Sequence, residues 1–241
     1  MKLNSVYNED CIKGMERIRN KSIDLILTDL PYNVTDCKWD KLIPFDLLWE
    51  QYNRIIKDNG AVVLFSIQPF TTKLINSNLK HFRYCWYWKK NNRTGAPFAK
   101  FQPMRCIEDI CVFYKSAPTY NPQGLKKLEK AIIKDADKEN TLYHIRTKKK
   151  FRVQEYTNYP VHLLQFANEA VNNKKRLHPT QKPLALCEYL IKTYTNEGDT
   201  VLDSCAGSGT TLLAAKQTNR NYIGFELSEE YYKTTLERLS A

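Results

Sequence analysis

Asp29, Leu30, Pro31 and Tyr32 are the residues of this 241-residue chain whose types and spacing point most directly to chemistry. They follow the apolar run at residues 22–28, so a carboxylate, a proline-fixed turn and an aromatic ring meet where a buried strand stops. In open α/β sheets, ligands bind beyond the carboxyl ends of strands. A cluster of this kind can accept hydrogen bonds from a flat, amino-bearing ring and stack against it. The same four residues would also serve as a plain strand-ending turn, so the rest of the chain must supply a reagent and a frame.

A second constellation lies at residues 201–211. A short apolar strand ends at Asp203, passes through Cys205, Ala206, Gly207, Ser208 and Gly209, and enters a helix at Thr210 and Thr211. Glycines let a ligand approach the backbone closely, and a helix N-terminus offers free N–H groups to an anionic group. Glu226 ends the next predicted strand, where an acid can accept hydrogen bonds from ribose hydroxyls. Together these features bind an adenosine-containing cofactor. Leu212 stands where a dinucleotide fingerprint has its third glycine, which argues against NAD.

The frame follows from the alternation of apolar runs with helical patterns. Strands are predicted at residues 23–28, 61–66, 84–88, 107–114, 201–203 and 222–226, and helices at 45–56, 70–78 and 210–217. Interleaving of this sort predicts a doubly wound, mostly parallel α/β sheet. The aromatic cluster Tyr84, Trp86, Tyr87 and Trp88 reads as strand packing rather than a base-stacking platform. Lys89, Lys90 and Arg93 follow it as phosphate contacts.

Charge points to the partner. Lys and Arg number 37 against 26 acids, a formal net charge of +11, which favours nucleic acid or an anionic surface. Much of the excess sits at residues 120–176, with thirteen basic and six acidic residues, interleaved with Tyr143, Phe151, Tyr156 and Tyr159. Weak apolar periodicity there predicts an inserted, partly flexible basic module between the two parts of the α/β domain, 1–119 and 177–241. Arg146, Lys148, Lys149, Lys150 and Arg152 form its densest basic run, suited to an anionic partner. The seven cysteines are odd in number and never spaced as Cys-x-x-Cys, and the four histidines are scattered, so no metal site is expected. With no secretory leader pattern and no apolar run of membrane-spanning length, a cytoplasmic protein is expected, with no membrane partner.

The motifs together resemble the β class of amino-group DNA methyltransferases. Residues 203–211 are similar to that family's Asp-Pro-Phe-x-Gly-Ser-Gly-Thr-Thr cofactor loop, and residues 29–32 to its Asp-Pro-Pro-Tyr catalytic motif. Residues 178–183 match its His-Pro-Thr-Gln-Lys-Pro segment, and residues 8–11 resemble its N-terminal Gly-Asp-Cys/Ala element. The permuted order, catalytic motif first and cofactor loop last, is that of the β class. The likeness covers nearly the whole chain outside the basic insert.

The resemblance implies a Rossmann-like methyltransferase sheet, S-adenosylmethionine as cofactor and double-stranded DNA as substrate, with the insert as target-recognition region. In the family pattern Glu226 holds the ribose, and Gly207, Ser208 and Gly209 let the cofactor lie on the loop. Thr180, Gln181 and Lys182 help hold the methionine end, and Asp10 and Cys11 border the adenine. Asp29 and the Leu30 carbonyl accept the two hydrogens of a target amine, and Tyr32 stacks on the flipped base. Residues 39 and 40, Trp and Asp, belong to a loop over that base. Leu30 replaces the family's proline, but the contact expected there is through a carbonyl. An aspartate at the first motif position leans towards adenine N6. Cytosine N4, an RNA amine and a catalytically silent DNA-binding relative stay open as alternatives. Family members often dimerise, so a homodimer and a cognate restriction endonuclease are further partners that the resemblance leaves open.

Overall fold

The computed structural model describes residues 1–33, 41–135, 151–167 and 181–240. They fall into two compact units, Met1–Asn121 with His162–Ala241, and Pro122–Val161. In the first unit β1 (Ser5–Asn8) leads into α1 (Cys11–Glu16), β2 (Ile23–Asp29), α2 (Phe45–Ile55), β3 (Ile56–Ser66), α3 (Phe70–Ser77), β4 (Phe82–Thr94) and β5 (Arg105–Phe113). The second unit contributes β6 (Lys126–Asp135) and β7 (Phe151–Thr157). The first unit then resumes with β8 (Leu163–Gln165), α4 (Leu184–Tyr194), β9 (Thr200–Asp203), α5 (Thr210–Gln217), β10 (Asn221–Glu226) and α6 (Glu229–Ser240).

The first unit is built on an eight-stranded sheet in the order β1-β10-β9-β2-β3-β5-β4-β8. Only β5 pairs antiparallel to its neighbours, so the other seven strands point the same way. This is the doubly wound, mostly parallel architecture expected from the sequence. Its central strands are apolar on both faces because both are covered. Leu25 and Leu27 of β2 join Val63, Phe65, Leu186, Leu190 and Leu212 in one core, beneath α4 and α5. Ile26 joins Leu64, Ile223 and Phe225 in a second core with Met15, Leu48, Tyr52 and Leu74 from α1, α2 and α3. Each such side chain, fully buried, contributes about 1.5–3 kcal/mol.

Strand direction decides where the polar ends gather. Asn8 pairs with Glu226, Gly224 with Asp203, and Asp29 with Phe65, so the carboxyl ends of β1, β10, β9, β2 and β3 form one edge. Because β5 is reversed, its opening residues reach that same edge: Asp109 lies opposite Ser66, and Glu108 opposite Trp88. The aromatic strand packs as expected. Trp86 and Trp88 are buried, and their indole N–H groups donate to the Tyr194 hydroxyl and the Phe166 carbonyl at 2.6 and 2.9 Å.

Several elements lie beyond the sequence expectation. β1 and α1 were not predicted, and β8 places residues 163–165 of the expected insert on the edge of the main sheet, beside β4. In the second unit β6 and β7 pair as an antiparallel ribbon, with Ile133 opposite Val153 and Lys127 opposite Tyr156. Among the described residues no helix is long and apolar enough to cross a membrane.

Gly14 measures how tightly α1 sits on the sheet. A Cβ at that position would overlap the aromatic ring of Phe225, which is fully buried. Alanine gains up to about 1 kcal/mol of helix propensity over glycine, but overpacking a filled core costs about 1–3 kcal/mol. Gly14→Ala is therefore expected to lower the urea-unfolding free energy by about 1–2 kcal/mol. A variant as stable as the parent would show that α1 and β10 have room to spare.

Candidate active site

The strand β9 ends at Asp203, and the loop after it turns into α5 through two glycines at positive φ, Gly207 at 54° and Gly209 at 74°. At Gly209 a side chain would be strained and would also press on Thr235, its Cβ only 2.6 Å from Cγ2. Helix α6 clamps the loop from behind. The Thr235 hydroxyl donates to the Gly207 carbonyl at 2.8 Å, and the Arg238 guanidinium donates to the Ser208 carbonyl and the Thr210 hydroxyl at 3.0 and 2.8 Å. Ala206, Ser208, Thr210 and Thr211 are buried, so Cys205 and Gly207 are the residues between 204 and 211 that stay partly open.

Glu226 closes this loop from the next strand. Its two carboxylate oxygens accept from the Gly207 and Ser228 amides, each at 2.7 Å. Burial raises its pKa, and those two amides work against the rise. Asp203 accepts from the Cys205 amide at 3.1 Å. Burial pushes its pKa up to about 7, again against the pull of that amide. Asp10, expected beside a cofactor adenine, is the N-cap of α1 and accepts from the Lys13 amide at 3.1 Å. Cys11, the first residue of that helix, is buried.

At the end of β2, adjacent to β9, Asp29 has both oxygens engaged. The Tyr32 hydroxyl donates to Oδ1 at 2.5 Å, and the Lys182 ammonium donates to Oδ2 at 2.5 Å. The Tyr32 ring packs on Phe70 with centroids 4.9 Å apart. Leu30 is buried in the core of α1, α2 and α3, so the part of it left for chemistry is its backbone. Lys182 also faces the Glu108 carboxylate, with Nζ 3.6 Å from Oε2, and the other oxygen of Glu108 is paired with Lys90. Burial alone would discharge Lys182, but the Asp29 and Glu108 carboxylates outweigh it and hold the pKa above the ordinary lysine value. Burial likewise opposes the Glu108 carboxylate, and Lys182 and Lys90 reverse that, leaving its pKa lowered.

The structure thus brings Asp29, Tyr32, Lys182, the 203–211 loop and Glu226 to one edge. It adds Glu108, which the sequence reading missed. Lys90, expected on a phosphate, is drawn inward by Glu108, with its side chain 11% exposed. Lys89 and Arg93 are exposed on β4. Arg152 lies on β7 with its backbone opposite Lys134. Thr180, His178, the Trp-Asp pair at 39–40, and Arg146, Lys148, Lys149 and Lys150 lie outside the described residues.

Asp203 links this edge to stability. The fold favours its protonated form, so the stabilisation is full below about pH 4 and is lost as the pH rises through about 7. From an ordinary carboxyl near 3.8 up to about 7, at roughly 1.4 kcal/mol per pKa unit, this amounts to up to about 4 kcal/mol. Urea unfolding is expected to show lower stability at pH 8.5 than at pH 5.5, and Asp203→Asn should remove most of that difference. An undiminished slope in the variant would place the titration elsewhere.

Known proteins share this sequence pattern and this fold. A family profile described as DNA methylase matches residues 23–237. The type II methyltransferase M.HpaI of Haemophilus parainfluenzae is 29% identical over 247 residues, covering 96% of this chain and 73% of the relative. The DNA adenine methyltransferase YhdJ of Escherichia coli strain K12 is 28% identical over 251 residues, covering 98% of this chain and 82% of its own. Among solved structures, M1.HpyAVI in complex with SAM aligns with 98% of this chain and 99% of its own, at TM-score 0.67 and 26% identity. The cytosine-N4-specific PvuII DNA methyltransferase shares the fold at TM-score 0.71 and 20% identity, over 97% and 85% of the two chains. The profile spans both the Asp29 strand and the Glu226 strand, and on that match this chain belongs to the N6/N4 DNA methylase family.

Proposed function

We propose that this protein methylates the N6 amine of adenine in double-stranded DNA, with S-adenosylmethionine as the methyl donor. The observation that carries the reading is the Asp29 carboxylate. It is fixed by Tyr32 and Lys182 at the end of β2, beside the strand that opens into the glycine loop. The donors and acceptors present suit that cofactor. Glu226 keeps carboxylate lone pairs beyond the two that Gly207 and Ser228 use, enough to accept ribose hydroxyls. Cys205 and Gly207 are the partly open stretch of the loop.

The bound cofactor supplies a methyl group on a sulfonium. The exocyclic amine of adenine is a poor nucleophile because its lone pair is delocalised into the ring. Asp29 and the Leu30 carbonyl accept its two hydrogens, which favours a tetrahedral nitrogen with its lone pair free. Orienting that lone pair in line with the methyl group supplies much of the rate, and the carboxylate stabilises positive charge as it develops on nitrogen. The amine is out of reach inside a duplex, so the nucleotide is flipped into the pocket, where Tyr32 stacks on it. The 120–176 region is the target-recognition element in this reading. Its basic residues, with Lys89 and Arg93, grip phosphates while few side chains read bases. Adenine is favoured by the aspartate that opens the motif and by the likeness to the adenine methyltransferase YhdJ.

Purified protein given labelled S-adenosylmethionine and unmethylated duplex DNA is expected to transfer label, and digestion should yield N6-methyladenine. N4-methylcytosine would assign the other base. Asp29→Ala should lower transfer about a hundredfold or more while cofactor binding stays measurable. Near-parental turnover in that variant would remove Asp29 from the chemistry.

A further inference from the structure

The Asp29 carboxylate is already committed to two donors before any amine arrives, and one of them carries a full charge. Lys182 Nζ sits 2.5 Å from Oδ2. A carboxylate neutralised this closely is a poor acceptor for an amine that is becoming positive. Lys182 has little water to retreat into, its side chain being 9% exposed. The other carboxylate within 4 Å of it, among the described residues, is Glu108. Glu108 is asymmetric: Oε1 is paired with Lys90, whereas Oε2 is buried without a hydrogen-bond partner, 3.6 Å from Lys182. Lys90 is itself largely covered and lies over the Trp88 ring, 5.3 Å from its centroid, so Glu108 is held firmly on one side and open on the other. Phe65 lies 5.1 Å from the Lys182 ammonium, an aromatic face that attracts the cation without taking its hydrogens.

We propose that Glu108 is a positioning residue for methyl transfer, drawing the Lys182 ammonium off Asp29 when the target amine reaches that carboxylate. The inference rests on Asp29 being the acceptor of the amine. A movement of about 1 Å turns the long Lys182–Glu108 contact into a hydrogen bond. The buried Oε2 then gains the donor it lacks, and Asp29 Oδ2 is free for the amine. Lys182 stays charged and paired throughout, so the exchange leaves no isolated buried charge. Lys90 anchors the receiving carboxylate.

Two measurements test this. In a crystal structure of Asp29→Asn, which removes the competing charge, Lys182 Nζ should lie within about 3.0 Å of Glu108 Oε2. An ammonium that stays on residue 29 or turns to solvent overturns the proposal, and this readout does not depend on any activity. In single-turnover transfer to unmethylated duplex DNA, Glu108→Gln should slow the methyl step about ten- to a hundredfold, with cofactor affinity changed less than about threefold. Glu108→Asp, which keeps the charge, should recover part of the rate. A parental rate in Glu108→Gln, or a loss confined to cofactor binding, overturns the proposal. If Glu108→Gln does not fold, the Asp29→Asn structure decides. Absence of transfer by the parent protein would instead contradict the methyltransferase reading, while the structural readout would still locate Lys182.

Discussion

An acidic side chain at the end of a central strand is costly to bury unless its donors come with it. Here four of them are gathered on one edge: Glu226, Asp203, Asp29 and Glu108. Each meets that cost differently. Glu226 takes two backbone amides, Asp203 takes one and is pushed towards neutrality, and Asp29 and Glu108 share the buried ammonium of Lys182. The Asp29–Lys182 contact joins residues 153 apart in sequence, so it ties the N-terminal half of the sheet to the segment entering α4. Remove it and the fold loses a clasp while the site loses the donor that sets its carboxylate. Stability and the proposed chemistry meet in the same pair.

The sheet makes this arrangement available through direction alone. Seven strands deliver their carboxyl ends to one side, and the reversed β5 delivers its beginning there. A carboxylate from β5 can therefore face one from β2 across β3, with a lysine between them. The arrangement on the β9 and β10 side is more rigid: positive-φ glycines, the Thr235 and Arg238 contacts and the Glu226 bridge fix the loop before a ligand arrives. One half of the edge is thus preformed and the other holds a charge with two nearby seats. Preformed geometry suits a cofactor, and a shiftable charge suits a substrate amine.

The sequence made some of this legible and hid the rest for physical reasons. The strand ending in Asp29 and the glycine loop could be read because local patterning and the proposed site coincide: an apolar run, then a proline turn in one case and closely spaced glycines in the other. Glu108 was hidden because an acid near the polar start of a strand looks like any solvent-facing side chain, and only the pairing of β5 with β3 and β4 brings it to Lys182. For the same reason Lys90 looked like a phosphate contact, although Glu108 claims it. β1 has one buried apolar residue, Val6, and exists as a strand through its pairing with β10. The β6–β7 ribbon leaves Ile133, Val153 and Phe151 exposed, so its apolar residues carry little of the periodicity that burial imposes elsewhere.

In the proposed reading one edge seats a sulfonium cofactor on the Glu226 side with its reactive end turned to Asp29. A crystal structure with S-adenosylhomocysteine, the demethylated cofactor, would locate every part of that ligand at once. The ribose is expected on Glu226, the adenosine along Cys205 and Gly207, and the sulfur facing Asp29 and Tyr32. A ligand bound elsewhere, or one whose sulfur points away from Asp29, would contradict that reading.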